Sequence, residues 1–271
     1  MVRSKRPFIG FIIVSAIVAL IATMGNVSFT FFAFPVNVAL LFSLMGITYI
    51  AYQEKAESNV MQMMRASTTS VALIALLFLF SIVIAFCPQW NFQRSWAFTF
   101  VLILLLINLQ LTIMSYHGRH RRRFYLTHIG LYMFLVSLSF GAPDTHRSRT
   151  IVRQGQTVEQ ALNFNGDICP IGFPLTLQLF EVSYYENHVP RSFNATIEAD
   201  GELHEIKVNH PWHRSWKEDV YLVSHGVDET TQQPYCVLEF ITQPWKYIVH
   251  LSLIMTAIGA FLLLWGKKNK Q

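Results

Sequence analysis

The sequence predicts a polytopic α-helical membrane protein of about six spans, with an extracytoplasmic antiparallel β-rich domain inserted before the last helix. Composition carries the first part: of 271 residues, 52% are hydrophobic and only 14% charged, an imbalance foreign to soluble domains of this size. Five stretches (7–53, 66–93, 95–118, 124–143 and 247–266) hold no Asp, Glu, Lys or Arg. Each reaches the roughly 20 helical residues that a bilayer core requires. Charge carries the second part. Residues 1–141 hold ten basic and two acidic side chains, residues 142–246 eight and fourteen, and residues 247–271 three and none. An acidic module thus sits between two basic, apolar blocks, which excludes a soluble single-domain enzyme. The basic residues punctuate apolar runs and form no aromatic-interleaved stripe, so the high pI does not indicate nucleic acid.

The first run contains Gly25-Asn26-Val27-Ser28, a polar turn signal that divides it into helices near 8–24 and 34–52. Pro35 then falls in the opening turn of the second, where its missing N–H costs little. Arg3, Lys5 and Arg6 precede the run as they would a signal peptide, but its length and continuation into a second helix favour an anchor. Helices over 66–93, 95–118, 124–143 and 247–266 complete six spans. With the N-terminus inside, the inner segments hold twelve Lys and Arg, while the two short outer loops hold only Arg94. Cytoplasmic loops retain positive charge, so both termini are expected inside and residues 142–246 outside. Trp90, Trp96 and Trp245 fall at outer helix ends. The expected domains are a five-helix membrane region over 1–141, the outer module over 142–246, and a final span with a basic tail over 247–271.

The outer module reads as β-rich. Residues 174–180 alternate apolar with smaller or polar side chains, and 192–198 and 203–208 flank Asp200-Gly201, a hairpin signal. Strands over 220–224 and 236–242 complete a small antiparallel sandwich or barrel. Cys169 and Cys236 lie in this module, where a disulfide and free thiols are both open. No Cys-x-x-Cys, Cys-x-x-Cys-His, phosphate-binding loop, Gly-x-Ser-x-Gly or His-Glu-x-x-His occurs. Thioredoxin-like redox chemistry, covalently carried haem, nucleotide hydrolysis and serine or zinc hydrolase chemistry therefore lack their residues.

Histidine remains. Six of the ten lie in the outer module (His146, His188, His204, His210, His213 and His225), where solvated surface residues are the ordinary reading, the His210-Pro-Trp-His213 pair included. His128 and His250 fall within spans, where a titratable group tends to face a cavity or a partner. Their depths differ by roughly 15–20 Å at the helical rise, too far apart to hold one haem iron between them. His128 is either an interfacial residue beside Arg121, Arg122 and Arg123 or a ligand whose opposite partner comes from elsewhere. The arginines set topology and can attract an anionic cytoplasmic ligand.

The segment Thr127-His128-Ile129-Gly130-Leu131, continuing through Phe140-Gly141-Ala142-Pro143-Asp144, resembles the helix before the outer domain of ResB/CcsB-like cytochrome c biogenesis proteins. Thr150 to Gly155, Phe173-Pro174-Leu175, Tyr184-Tyr185-Glu186, Val208-Asn209-His210-Pro211, Trp216 with Val220-Tyr221-Leu222, and Gln243-Pro244-Trp245 follow in the family's order, while Gly25 to Ser28 and Phe34 to Asn37 are similar to its short, unfused branch. The resemblance implies one half of a System II haem export and cytochrome c synthetase complex in the bacterial inner membrane, as an accessory subunit rather than a catalyst. It implies a CcsA/ResC-like partner, an apocytochrome c substrate, a thiol-reducing partner, and haem b that is transported or transiently bound. His128 matches the position of a candidate axial haem ligand. Two departures stand out: the family plan has four spans, and Gln243 replaces an expected Asp. A purely structural assembly subunit, or an unrelated permease or sensor subunit, is the alternative reading.

Overall fold

The computed structural model describes residues 31–90, 94–118, 120–187, 190–229 and 232–265. The expected helix over 8–24, the turn at Gly25 to Ser28, Arg3, Lys5, Arg6, Arg119, Lys267, Lys268, Lys270 and His188 lie outside them. The chain forms two compact units, one from the residues up to Pro143 together with those from Tyr247 onward, the other Asp144–Lys246.

The first unit contains helices α1 (Val36–Lys55), α2 (Asn59–Met64), α3 (Ser67–Phe86), α4 (Trp96–Met114), α5 (Arg121–Phe140) and α6 (Lys246–Trp265). Among the described residues, four of these, α1, α3, α4 and α6, are long and apolar enough to cross a membrane. α5 is as long as α1, but Arg121, Arg122, Arg123 and His128 dilute its apolar character and it is not one of the four. The expected helix at 34–52 instead runs over Val36–Lys55, with Pro35 at its N-cap, because proline disfavours the helical conformation in the residue before it. The connection after α1 holds the short α2, whose N-cap Ser58 accepts the Met61 N–H at 3.3 Å. Six residues are too few for an apolar period to reveal.

Buried polar side chains knit the bundle. Asn108, 1% exposed, accepts the Ser70 hydroxyl at 2.8 Å and donates to the Met64 carbonyl at 2.5 Å. Gln110 donates to the Met45 carbonyl at 2.9 Å, and Asn37 donates to the Phe140 carbonyl at 2.7 Å. In a medium without water these bonds replace the hydrophobic effect as a source of specific helix pairing. Leu73, Phe80, Ala97, Val101 and Leu105 fill the space between α3 and α4.

α5 and α6 approach through small residues. A Cβ at Gly130 would lie 2.5 Å from the Thr256 hydroxyl and 2.8 Å from its backbone nitrogen, and one at Gly259 would lie 2.5 Å from the Thr127 nitrogen. The obstructing atoms include backbone, so neither glycine can be replaced without moving a helix.

The second unit is one eight-stranded antiparallel sheet in the order β5-β4-β3-β2-β1-β8-β7-β6. Its strands are β1 (His146–Arg153), β2 (Thr157–Asn163), β3 (Ile168–Tyr184), β4 (Pro190–Ala199), β5 (Glu202–Lys207), β6 (Trp212–His213), β7 (Glu218–Val227) and β8 (Pro234–Thr242). Asp200 and Gly201, with φ of 53° and 80°, form the two-residue hairpin that the sequence announces, and Ala199 pairs with Glu202 across it. The two ends of the sheet meet at a second tight turn, where Lys207 and His210 exchange backbone hydrogen bonds of 3.2 and 2.9 Å. His204 of β5 stacks on Trp212 of β6 at 4.0 Å. The sheet thereby curls around a single core that includes Val152, Leu175, Leu177, Ile197, Ile206, Val220, Cys236 and Leu238.

Cys87, Cys169 and Cys236 are all free thiols. Cys236 is fully buried in the core, and burial pushes its thiol up to about 12.

The α5–α6 contact leads us to expect Gly259→Leu to cost about 1–3 kcal/mol by overpacking, read as a fall of several degrees in thermal unfolding in detergent; an unchanged midpoint would mean that the helices do not meet there. A maleimide at pH 8 should modify half-exposed Cys169 in the native chain, and Cys236 only after denaturation.

Candidate functional site

His128 is the eighth residue of α5. On a helix, positions four apart share a face, which aligns Phe124, His128 and Tyr132 along one stripe. The His128 ring stacks on Phe124, centroids 3.9 Å apart, and Phe124 stacks on Tyr116 at 3.5 Å with planes 5° apart. Tyr116 lies in the loop before α5, and the Tyr125 hydroxyl donates to its carbonyl at 3.3 Å. A continuous stack of three rings therefore closes off the first turn of the helix.

The same turn settles the histidine's tautomer. His128 Nδ1 lies 2.9 Å from the Phe124 carbonyl, a group that can only accept. Nδ1 must therefore carry the hydrogen, and in the neutral ring Nε2 carries the lone pair. A backbone carbonyl fixing Nδ1 in this way is the usual support of a metal-ligating imidazole. The side chain is half-buried, so Nε2 is not sealed inside the fold.

Arg121 and Arg122 are exposed and Arg123 half-exposed in the first turn of α5. Cations at a helix N-terminus oppose the macrodipole and cost the helix a few tenths of a kcal/mol each. Helix stability is thus no reason for them, whereas the backbone N–H groups and guanidinium groups together create a strongly positive mouth. Arg123 lies five residues from His128, about 7.5 Å along the axis.

What can this arrangement hold? No group of three or more His, Cys, Asp or Glu side chains suited to a bare metal ion occurs among the described residues. One imidazole suffices for an iron that already has four porphyrin nitrogens, and guanidinium groups suit its propionates. The donor set here is one imidazole with neighbouring guanidinium groups, too few ligands to chelate a bare cation. The other histidine that the sequence assigned to a span is elsewhere: His250 is exposed on α6, nine residues before the Gly259 that meets Thr127, or about 13 Å along the axis.

The outer histidines are dispersed. His225 lies against Phe193 and Phe180 at 4.1 and 5.4 Å, and His204 is taken up by Trp212. His213 is different. Its Nδ1 contacts Asp219 Oδ1 at 2.6 Å, while Lys246 Nζ reaches both carboxylate oxygens at 2.8 and 2.9 Å. Asp219 is 5% exposed. Burial pushes its carboxyl up, but hydrogen bonds from Lys246 and His213 and their charges outweigh that, leaving it below the usual carboxylate range. Nearby, Trp245 Nε1 donates to Asp144 at 2.8 Å, which ties the residue entering the module to one leaving it. Sequence reasoning passed over Asp144, Asp219, Lys246 and Tyr116, because their partners lie far along the chain or across a loop. Phe124, at four residues from His128, was within reach of helical spacing.

The ResB-like family pattern matches residues 108–250, which take in the end of α4, all of α5, the module and the first turn of α6. No curated protein matches the chain. Among solved structures, a cytochrome c heme lyase CcmF is similar at 13% identity with a TM-score of 0.40, over 85% of this chain and 45% of that one. The chain thus spans less than half the length of that structure.

The Asp219 cluster has a signed pH dependence. A carboxyl with a depressed folded value adds stability above its unfolded value, near 4, and loses it as pH falls through the folded value. Asp219→Asn should therefore unfold at lower temperature than wild type at pH 7, by about 3 kcal/mol for a broken buried pair, and the gap should narrow below about pH 4. Equal gaps at pH 7 and pH 3 would show that the carboxylate is not held by these cations.

Proposed function

The chain belongs to the ResB-like family, and from that premise we propose that it serves cytochrome c biogenesis as the haem-receiving subunit of a membrane complex. Four helices suited to a bilayer and an exported-type β module support a membrane location; the excess of basic residues in the connections assigned to the cytoplasm supports an inner membrane with both termini inside. His128 is the residue that carries the proposal. Its Nδ1–H is held by the Phe124 carbonyl, and its Nε2 lone pair is the donor that we assign to an axial position of iron.

In this reading haem is cargo. Arg121 to Arg123 draw its propionates to the start of α5, the Tyr116–Phe124–His128 stack presents an apolar, planar edge to the macrocycle, and His128 Nε2 holds the iron. The opposite ligand comes from a CcsA/ResC-like partner. The complex moves reduced haem outward and presents it to the Cys-x-x-Cys-His thiols of an apocytochrome c, kept reduced by a separate thiol partner. The thioether chemistry belongs to haem and substrate thiols, so this chain positions rather than catalyses.

Co-purification with the partner from haem-replete cells tests the role. His128→Ala should lower bound haem at least several-fold and shift the Soret band of what remains, with exogenous imidazole restoring part of both. Holocytochrome yield should fall in parallel. Unchanged haem content, spectrum and yield would leave an assembly subunit that touches no haem.

A further inference from the structure

The turn between β6 and β7 carries an exposure that the core of the module does not explain. Trp216 is 60% exposed and Lys217 beside it is exposed, at the tip of a tight, well-held loop. Ser215 and Glu218 exchange backbone hydrogen bonds of 3.2 and 3.3 Å, and the Ser215 hydroxyl accepts the Glu218 N–H at 3.1 Å. Arg214 pairs with Glu218 at 2.5 Å and lies over the Phe173 ring at 4.0 Å. The base of the turn is therefore anchored to the core while its tip projects.

The turn is also tied to the residues that lead into α6. The Lys217 carbonyl accepts the Gln243 N–H at 2.6 Å, and Asp219, two residues further on, holds Lys246. Lys246 is the first residue of α6, a helix apolar enough to span a bilayer. Gln243 and Lys246 are three residue steps apart, which reach at most about 10 Å. The headgroup layer beyond the hydrocarbon edge is roughly 5–8 Å deep on each side. The Lys217 backbone is thereby tethered close to the first residue of α6, over a distance comparable with the depth of that layer. An indole there keeps its ring on the apolar side and its N–H in polar surroundings, and a neighbouring ammonium meets lipid phosphate.

We propose that Trp216 and Lys217 form a membrane-docking tip, which binds the phosphate and glycerol region of the outer leaflet. This inference does not depend on haem binding.

The test uses the full chain in nanodiscs, with Cys87→Ser and Cys169→Ser and with buried Cys236 retained. A fluorophore is placed at Lys217→Cys, and in a separate variant at Val227→Cys, an exposed site at the other end of β7. Lipids bearing a nitroxide at the headgroup should quench the label at 217 several-fold more than the label at 227, and adding Trp216→Ser should bring the two towards equality. Thermal unfolding confirms that each variant is folded. Equal quenching at 217 and 227 in folded protein with Trp216 intact would place the tip in water and overturn the proposal.

Discussion

Much of this architecture depends on how the chain leaves the β module. Asp219 is almost wholly buried and lies beside a lysine that is also the first residue of α6. Removing either partner would strand a charge away from water, a cost of several kcal/mol, so the last residue of the module is firmly held to β7. Trp245 and Asp144 add a second fastening at the same end, and His146 pairs with Thr242 across β1 and β8. The chain therefore enters and leaves the sheet side by side.

The helical unit is held by different forces. Its interior offers little hydrophobic gain over lipid, so pairing relies on close packing and hydrogen bonds. Asn37, Asn108 and Gln110 tie helices by bonding to carbonyls on other segments, and Gly130 and Gly259 let α5 and α6 approach to backbone contact. α5 is thus constrained on two sides, by Gln110 of α4, whose Oε1 accepts from the Tyr132 hydroxyl of α5 at 3.5 Å, and by Thr256 of α6 against Gly130. His128, one position after Thr127, inherits a defined orientation from these neighbours. That support suits the ligand role we propose for His128, because a loosely held imidazole loses much of the affinity gained by a preorganised one.

Some of this was legible in the residues. Strands β3, β4, β7 and β8 alternate visibly, since one face of each fills the core, whereas β5 is marked by the Asp200-Gly201 turn before it and buries only Ile206. β1 and β2 do not: only Val152 in one and Ala161 in the other are buried, and the remaining positions are mostly polar or charged. Those strands exist because they pair, Ser148 with Asn163 and His146 to Arg153 along the whole of β8, and pairing leaves no periodic mark. The two-residue strand β6 is likewise created by its neighbour.

Taken alone, the sequence determined which segments favour lipid, which module does not, and where the Asp200-Gly201 hairpin turns. These follow from transfer free energy and local backbone preference, both of which act over short stretches of chain. Tertiary structure decided the rest: closure of the sheet through Lys207 and His210, the Asp219–Lys246 and Asp144–Trp245 fastenings, the glycine contact between α5 and α6, and the Tyr116 ring that completes the stack over His128. Each joins groups that are remote in sequence or separated by a loop, and only the folded path of the chain brings them within bonding distance.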